Sequence, residues 1–244
     1  MTDTSETKQQ KADKHKKGER KKHLRRLIII LIVVGASIAG YDYWDDNIKD
    51  RYYPRRFGVV KEGQIFRSGV IHENIIKDTL AENKIQVIVN LSSPWPPEIK
   101  AAEELGIEIK EFALAGDGTG KIENYAKAIR EVERAKKQGK PVLIRCSSGS
   151  QRTGGAVAFY RLLIEGSRDN KAIIRELKKY GWGRDDVTLI NYLNKNMLTM
   201  AELLKGMGVI DKIPSPVPQI YSRNVKIYDF AGQFADEDTD QSIN

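Results

Sequence analysis

The stretch RCSSGSQRTGG, residues Arg145–Gly155, separates an apolar run at Pro141–Ile144 from a helical pattern over Thr153–Glu165. It contains the only cysteine of the chain, Cys146, and Arg152 follows six residues later. The backbone N–H groups of a loop rich in serine and glycine can converge on one point, and the N-terminus of the next helix adds partial positive charge. The stretch therefore predicts an anion-binding loop between a strand and a helix.

The side chains of this loop predict covalent phosphoryl chemistry. A thiol beside a helix N-terminus has a lowered pKa, so we expect Cys146 to be a nucleophile. Arg152 offers a planar fork of two donors to phosphate oxygens. The alternative for Cys146, a buried structural thiol, suits an apolar pocket better than this polar loop. We expect phosphate to be bound by Arg152 together with Ser147, Ser148, Gly149, Ser150 and Gln151.

The run Cys146-Ser-Ser-Gly-Ser-Gln-Arg152-Thr-Gly154 resembles the Cys-x5-Arg-(Ser/Thr)-Gly loop of the cysteine-based protein tyrosine phosphatases. The wider sequence is similar to the small dual-specificity branch of that superfamily. IFRSG at Ile65–Gly69 resembles the Arg-Ser-Gly motif of its bacterial and fungal members, and VIVNL at Val87–Leu91 resembles the strand that follows this motif. The resemblance covers about residues 57–205.

The resemblance also implies roles for two further residues. Asp117, in AGDGTG at residues 115–120, stands where the family has a general acid upstream of the cysteine, and the flanking glycines would let such a loop move. The alternative for Asp117 is ordinary turn chemistry, since Gly-Asp-Gly is a common turn sequence. Thr153 would hydrogen-bond the departing thiolate, as in the family.

One position departs from the family pattern. The residue before the cysteine is usually His, which helps to set the thiolate and orders the loop, whereas this chain has Arg145. An arginine there could supply positive charge, point into the sheet or reach across to an acid. The departure predicts reduced activity or a shifted pH optimum, and it keeps open a catalytically weak or inactive phosphate-binding module.

The surrounding sequence predicts an α/β domain with a central mixed, largely parallel sheet flanked by helices, because strand and helix patterns alternate. Short apolar strands are predicted at Phe57–Val60, Gln64–Arg67, Gln86–Leu91, Ile107–Leu114 and Pro141–Ile144. Helices are predicted at Ile75–Asn83, Pro96–Leu105, Ile122–Gln138, Thr153–Glu165, Asp169–Tyr180 and Asp185–Leu204.

The net charge of +8 is concentrated at the N-terminus. Residues 1–26 hold ten basic and four acidic side chains, so the rest of the chain carries only +2. This distribution excludes nucleic acid as the expected partner of the folded part. We interpret residues 1–26 as a basic cytoplasmic tail.

A charge-free apolar run at residues 27–40 follows this tail, with Tyr41, Tyr43 and Trp44 after it. We interpret residues 27–44 as a transmembrane signal anchor, with the basic residues inside and the catalytic domain outside the cytoplasm, which is the periplasm in a Gram-negative bacterium. A cleaved signal peptide with a processing site at residues 37–39 is the alternative. An unpaired thiol in such a compartment calls for a functional explanation.

The remaining chain divides into a juxtamembrane connector at residues 45–56, a phosphatase-like domain at 57–205 and a flexible extension at 206–244. The predicted function is hydrolysis of phosphate monoesters, on protein phosphotyrosine or another phosphoester, without metal or cofactor. The alternatives are the phosphate-binding module, a phospholipid or inositol phosphate phosphatase and, with a poorer fit to the motif, a sulfurtransferase. The loop contains no lysine of the kind that inositol phosphate members often use, which favours protein or aryl phosphates.

Overall fold

The computed structural model describes residues 25–37, 39–41, 43–44, 48–183, 186–222, 225 and 227. The chain divides into two units, Met1–Asp50 and Arg51–Asn244. In the first unit, residues 25–37 are helical. No helical segment of the described residues combines the length and the apolar character that a membrane span requires. The predicted basic tail lies almost wholly outside the described residues, as do residues 228–244.

The second unit is built on a five-stranded sheet in the order β1-β2-β5-β3-β4. Its strands are β1 (Gly58–Lys61), β2 (Ile65–Ser68), β3 (Val87–Asn90), β4 (Glu108–Glu111) and β5 (Val142–Arg145). The hairpin β1–β2 is antiparallel, and the pairings of β2 with β5, β5 with β3 and β3 with β4 are parallel. This arrangement confirms the predicted mixed, largely parallel sheet.

Helices cover both faces of the sheet. They are α1 (Ile76–Glu82), α2 (Pro96–Leu105), α3 (Ile122–Lys137), α4 (Gln151–Phe159), α5 (Asn170–Lys179), α6 (Val187–Lys195) and α7 (Met197–Gly206). A π-helical turn, Tyr160–Ile164, continues α4, and a 3-10 turn, Lys49–Arg51, precedes β1.

Alternate residues of the central strands point to opposite faces, as a strand requires. Ile88 and Leu143 belong to the apolar cluster that α1 and α2 cover, whereas Val89 and Ile144 belong to the cluster beneath α3 to α7. Strand β5 lies at the centre, with Arg145 paired to Ser68 of β2 and to Asn90 of β3. The loop after β5 therefore emerges at the carboxyl edge of the sheet, the usual binding edge of parallel α/β folds.

The last predicted helix differs from the structure. The described part of residues 185–206 forms two helices, α6 and α7, which are separated at Asn196. The Asn196 side-chain amide donates to the carbonyl of Tyr192 at 2.8 Å, so this residue ends α6 with its own side chain.

The predicted flexible extension needs correction for residues 207–222. Ile220 is buried in the core, and the Asn194 side chain bonds both the N–H and the carbonyl of Ile220, at 2.8 and 2.9 Å. Asn170 holds the N–H and carbonyl of Tyr221 in the same way, at 2.8 and 2.7 Å. A buried isoleucine and four hydrogen bonds to its backbone and that of its neighbour make this part of the extension a component of the domain.

Candidate active site

The loop after β5 begins with Cys146, which is fully buried at the carboxyl edge of the sheet. The backbone N–H of Gly149 donates to the Cys146 sulfur at 3.2 Å. Helix α4 starts at Gln151, so the loop leads directly into a helix N-terminus, as the sequence predicts. The thiol and the positive end of the helix therefore belong to one site.

Three successive carbonyl groups of the loop are held by donors outside it. The Ser147 carbonyl accepts from the N–H of Val70 at 3.0 Å. The Ser148 carbonyl accepts from Nη1 of Arg56 at 2.8 Å, and the Gly149 carbonyl accepts from Nη2 of Arg67 at 2.9 Å. In a trans peptide the N–H points opposite to the carbonyl, so the N–H groups of residues 148, 149 and 150 point away from these donors; that of Gly149 donates to the Cys146 sulfur and that of Ser150 to the Ser148 hydroxyl at 3.3 Å. The loop thus has the amide arrangement that binds an anion.

The loop and the end of β2 pack backbone against backbone. A Cβ on Gly149, where φ is 75°, would lie 2.4 Å from the N of Gly69, and one on Gly69 would lie 2.8 Å from the carbonyl carbon of Ser148. Only glycine fits at both positions. This close approach explains physically why an Arg-Ser-Gly motif accompanies the cysteine loop.

The surroundings of the Cys146 thiol favour its ionised form. Burial is the largest single influence and raises the pKa of the thiol, but the hydroxyl and N–H of Thr153, the N–H of Gly149 and the charge of Arg152 together bring this pKa below its ordinary value. The Thr153 hydroxyl is buried and forms no hydrogen bond of good geometry among the described residues, so its influence reflects proximity to the sulfur. Thr153 is therefore close to the sulfur, and its support of a departing thiolate stays a prediction.

Arg152 lies close enough to the thiol for its charge to lower the pKa of Cys146. Burial raises the pKa of the Tyr125 phenol well above its ordinary value. Weaker electrostatic influences on the same pKa come from Tyr192, Cys146, Arg152 and Asp117, and the phenol itself contacts the carbonyl of Gly118, next to Asp117. The buried Nε of Arg152 has no hydrogen-bond partner within the described part of the chain, as expected of a guanidinium that awaits an anion.

The Asp117 carboxylate itself is engaged in a turn. It is exposed and accepts from the N–H and the hydroxyl of Thr119, at 3.0 and 2.7 Å. The Thr119 N–H, and after it the Thr119 hydroxyl, lower the pKa of Asp117, and partial burial opposes them. The conformation seen here therefore favours the carboxylate over the acid form, and both hydrogen bonds from Thr119 are made to Oδ1.

The loop that carries Asp117 is fixed by phenol groups. Tyr125 of α3 donates to the carbonyl of Gly118 at 2.7 Å, and Tyr192 of α6 donates to the carbonyl of Gly120 at 2.8 Å. A Cβ on Gly118, where φ is 86°, would lie 3.3 Å from the carbonyl oxygen of Gln151. The loop that carries Asp117 thus lies against the start of α4, and the two tyrosines hold it through its carbonyl groups.

The side chain of Gln151 is bonded to a residue outside the loop. Its amide nitrogen donates to the carboxylate of Asp186, whose other oxygen caps α6 through the N–H of Thr188. The contribution of Gln151 to anion binding is therefore confined to its backbone.

The structure shows how Arg145 differs from a histidine. It is fully buried, its Nε and Nη2 donate to Oε1 of Glu98 in α2, and its Nη1 donates to the hydroxyl of Ser92 at 2.8 Å. Of the possibilities raised by the sequence, the reach across to an acid is the one observed. Burial raises the pKa of Glu98 more than the charge of Arg145 lowers it. The ion pair fixes the end of β5 to the start of α2, behind the loop.

Sequence reasoning missed Glu98, Ser92 and Arg56. Glu98 has the pattern of an ordinary acidic residue in the first turn of a helix, and its partner Arg145 lies 47 positions further on. Arg56 lies 92 positions before Ser148, in a segment interpreted as a connector. Arg67 was found only as part of the Arg-Ser-Gly motif, and its buried charge over the ring of Tyr180, at 3.8 Å, has no sequence signal.

Comparison with known proteins confirms the resemblance to the cysteine-based phosphatase superfamily and its small dual-specificity branch. The dual specificity protein phosphatase TpbA of two Pseudomonas aeruginosa strains is 36% identical over 58 residues, which are 24% of this chain and 26% of TpbA. The match therefore spans about a quarter of that relative's length. No protein-family model matches the chain.

Solved structures show the fold. The crystal structure of P. aeruginosa TpbA superposes with a TM-score of 0.50 and 18% identity, over 63% of this chain and 91% of that chain. The core catalytic domain of the PP-IP phosphatase SIW14 from S. cerevisiae, in complex with citrate, gives a TM-score of 0.50 and 18% identity, over 68% and 97%. The domain therefore has the fold of the cysteine-based phosphatases.

The buried ion pair leads to a stability prediction. Glu98→Ala should lower the free energy of unfolding by about 3–5 kcal/mol, because it leaves the buried Arg145 charge without a partner. Urea denaturation of the full chain measures this loss. Glu104→Ala is the matched control, since Glu104 forms an exposed pair with Lys77 and its loss should have little effect. Equal effects of the two changes would contradict the assignment, and Glu98→Leu combined with Arg145→Met should recover much of the stability.

Proposed function

We propose that this domain hydrolyses phosphate monoesters through a phosphocysteine intermediate, with a phosphotyrosine on a protein or another phosphoester as substrate. The observation that carries the proposal is a buried thiol of lowered pKa inside a loop whose carbonyls at 147, 148 and 149 are all held outward. An anion-binding loop without a nucleophile would bind phosphate only, whereas this one encloses Cys146. The combination favours an enzyme over the binding module.

The first step forms a sulfur–phosphorus bond and breaks the bond between phosphorus and the ester oxygen. The Cys146 thiolate supplies the electron pair, and the leaving alkoxide or phenoxide takes a proton from Asp117. Loop N–H groups and the Arg152 fork hold the three other phosphate oxygens, whose charge they stabilise in the transition state.

The second step cleaves the sulfur–phosphorus bond with water. Asp117, now ionised, accepts a proton from the attacking water, so that inorganic phosphate leaves and the thiolate is regenerated. Thr153, which lies beside the sulfur, stabilises the departing thiolate and thereby favours this step. Both steps are completed with groups of the chain itself and need no metal or cofactor.

The substrate proposed is an aryl phosphate on a protein. TpbA is by its name a dual specificity protein phosphatase, and SIW14 is by its name a PP-IP phosphatase, so the relatives include both substrate classes. The residues from Ser147 to Gln151 include no lysine, which lowers the positive charge available to a polyphosphorylated inositol. An inositol phosphate or phospholipid headgroup is the second candidate.

In this proposal residues 27–44 hold the enzyme at a membrane, and its catalytic domain lies outside the cytoplasm. Support comes from the sequence alone, where ten basic residues precede a charge-free run of fourteen and three aromatic side chains follow it. A reporter enzyme fused after Asn244 that is active only outside the cytoplasm is the expected result, and cytoplasmic activity would overturn the proposal. The size of the fusion product separates an uncleaved anchor from a cleaved signal peptide.

The function is tested with the full chain in detergent and an aryl phosphate such as p-nitrophenyl phosphate. Turnover between pH 5 and 8 in the presence of EDTA is expected, and Cys146→Ser should abolish it while orthovanadate still binds. The reason is that serine keeps the shape of the cradle but not the nucleophile of low pKa. Intact vanadate binding without any turnover by the wild type would favour the phosphate-binding module instead.

The role of Asp117 is tested with leaving groups of different basicity. Asp117→Ala should lower kcat by about 10²–10⁴-fold for an alkyl phosphate, whose alkoxide is a poor leaving group. The loss should be much smaller for p-nitrophenyl phosphate, because p-nitrophenolate leaves without a proton. Thr119→Val removes the hydroxyl bonded to Asp117 and should retain most activity. An equal loss for both substrates with Asp117→Ala would leave this residue with a turn-forming role only.

A further inference from the structure

The segment before β1 contacts the loop that follows β5 and the end of β2. The carbonyl of Arg55 accepts from the N–H of Gly69 at 2.7 Å, and Nη1 of Arg56 donates to the carbonyl of Ser148 at 2.8 Å. Sequence analysis placed residues 45–56 in a connector outside the domain. These two contacts instead make its last residues part of the wall that holds the loop.

Arg56 has a backbone conformation that few residues other than glycine adopt. Its φ is 47°, in the left-handed region, where a side chain is disfavoured. Such conformations persist when the surrounding structure determines them, and they cluster at functional sites. The chain reverses at Arg56 in a way that directs its side chain toward the loop and its neighbour's carbonyl toward Gly69.

The Arg56 guanidinium also packs closely against Gly181. A Cβ on Gly181, where φ is 90°, would lie 2.6 Å from Nε and 3.0 Å from Cζ of Arg56. Gly181 follows the C-terminal end of α5, and its N–H donates to the carbonyl of Lys178. The guanidinium therefore lies between the negative end of a helix and the Ser148 carbonyl, an environment that favours a cation.

The carbonyl that Arg56 holds belongs to the same peptide unit as the N–H that contacts the thiol. The unit between Ser148 and Gly149 accepts from Arg56 through its oxygen and donates to the Cys146 sulfur through its nitrogen, at 3.2 Å. Hydrogen bonds in such a chain polarise one another, and a charged donor strengthens the effect. Arg67 holds the next peptide unit in the same way, but it is fully buried, whereas Arg56 is exposed and can be changed with less effect on the core.

We propose that Arg56 is a positioning residue of the active site, which orients and polarises the Ser148–Gly149 peptide so that its N–H stabilises the Cys146 thiolate. This inference rests on the proposed function for its catalytic meaning, but its physical content, the state of the thiol, can be measured without a substrate. It also makes the last residue of the connector necessary for full activity.

The thiolate is measured directly by its absorbance at 240 nm as pH is varied, with Cys146→Ser as the blank. Because Cys146 is the only cysteine of the chain, the difference reports this thiol alone. Arg56→Gln should move the titration to higher pH and lower the acid ionisation constant of the thiol by about two- to ten-fold, the range expected for the net contribution of one ordinary hydrogen bond. Arg56→Lys, which retains charge and donors, should recover part of the shift.

Two further variants separate this role from a general loss of structure. Gly181→Ala places a methyl group against the Arg56 guanidinium and should shift the titration in the same direction, and combining it with Arg56→Gln should add little. Gly139→Ala is the matched control, since Gly139 also follows a helix with a positive φ of 68° but a Cβ there meets no atom within 4 Å, and Arg51→Gln is the control for loss of an exposed charge. Circular dichroism and thermal denaturation check that each variant is folded.

The catalytic consequence has a characteristic pH dependence. Arg56→Gln should lower kcat/KM for p-nitrophenyl phosphate most at low pH, with the difference closing once the variant's thiol is also ionised, whereas a loss of folded enzyme would lower it equally at every pH. An unchanged thiol titration in Arg56→Gln, or the same change in Arg51→Gln, overturns the inference. A wild type with a low-pH thiol titration but no turnover would refute the proposed function and leave the positioning role of Arg56 standing.

Discussion

The site depends on the outward tethering of three consecutive carbonyl groups, those of residues 147, 148 and 149. A buried backbone carbonyl needs a hydrogen-bond donor, and a loop in which N–H groups converge would otherwise lack partners for its oxygens. Here the donors are the N–H of Val70 and the guanidinium groups of Arg56 and Arg67. All three come from β2 or the chain just before and after the hairpin. The pairing of β2 with β5 brings the hairpin and the chain on either side of it close to the loop, where these three donors hold it.

Two buried arginines, Arg145 and Arg67, lie beside the loop, and their surroundings differ. Arg145 is neutralised by Glu98, so it ties β5 to α2 without leaving an unbalanced charge near the thiol. Arg67 has no paired carboxylate in direct contact among the described residues, and burial lowers its pKa to about 10, at which it remains a cation near neutral pH. The ring of Tyr180 and the carbonyl of Gly149 are its neighbours. Arg67 can therefore contribute the positive field that the family histidine is expected to supply.

The sequence allowed the central loop, the sheet and most helices to be predicted, because these depend on local order: apolar strand, serine- and glycine-rich loop, amphipathic helix. What it could not reveal depends on contacts between distant residues. Glu98 pairs with a residue 47 positions away, and Arg56 with one 92 positions away. For the same reason the sequence did not predict that residues 207–222 belong to the domain. Ile220 is held by the side-chain amide of Asn194 in α6, and no sequence pattern marks this asparagine.

The electrostatics of the free site explain how Asp117 could serve as an acid although Thr119 stabilises its ionised form. The hydrogen bonds from Thr119 lower the pKa of Asp117, and the surroundings of Cys146 lower the pKa of its thiol, so both groups are shifted toward their anionic forms. A phosphate dianion that enters this region adds negative charge, and like charges raise the pKa of a carboxyl group. Proton uptake by Asp117 is then favoured only with substrate present. A lowered pKa of Asp117 in this structure is therefore compatible with proton donation in a complex with phosphate.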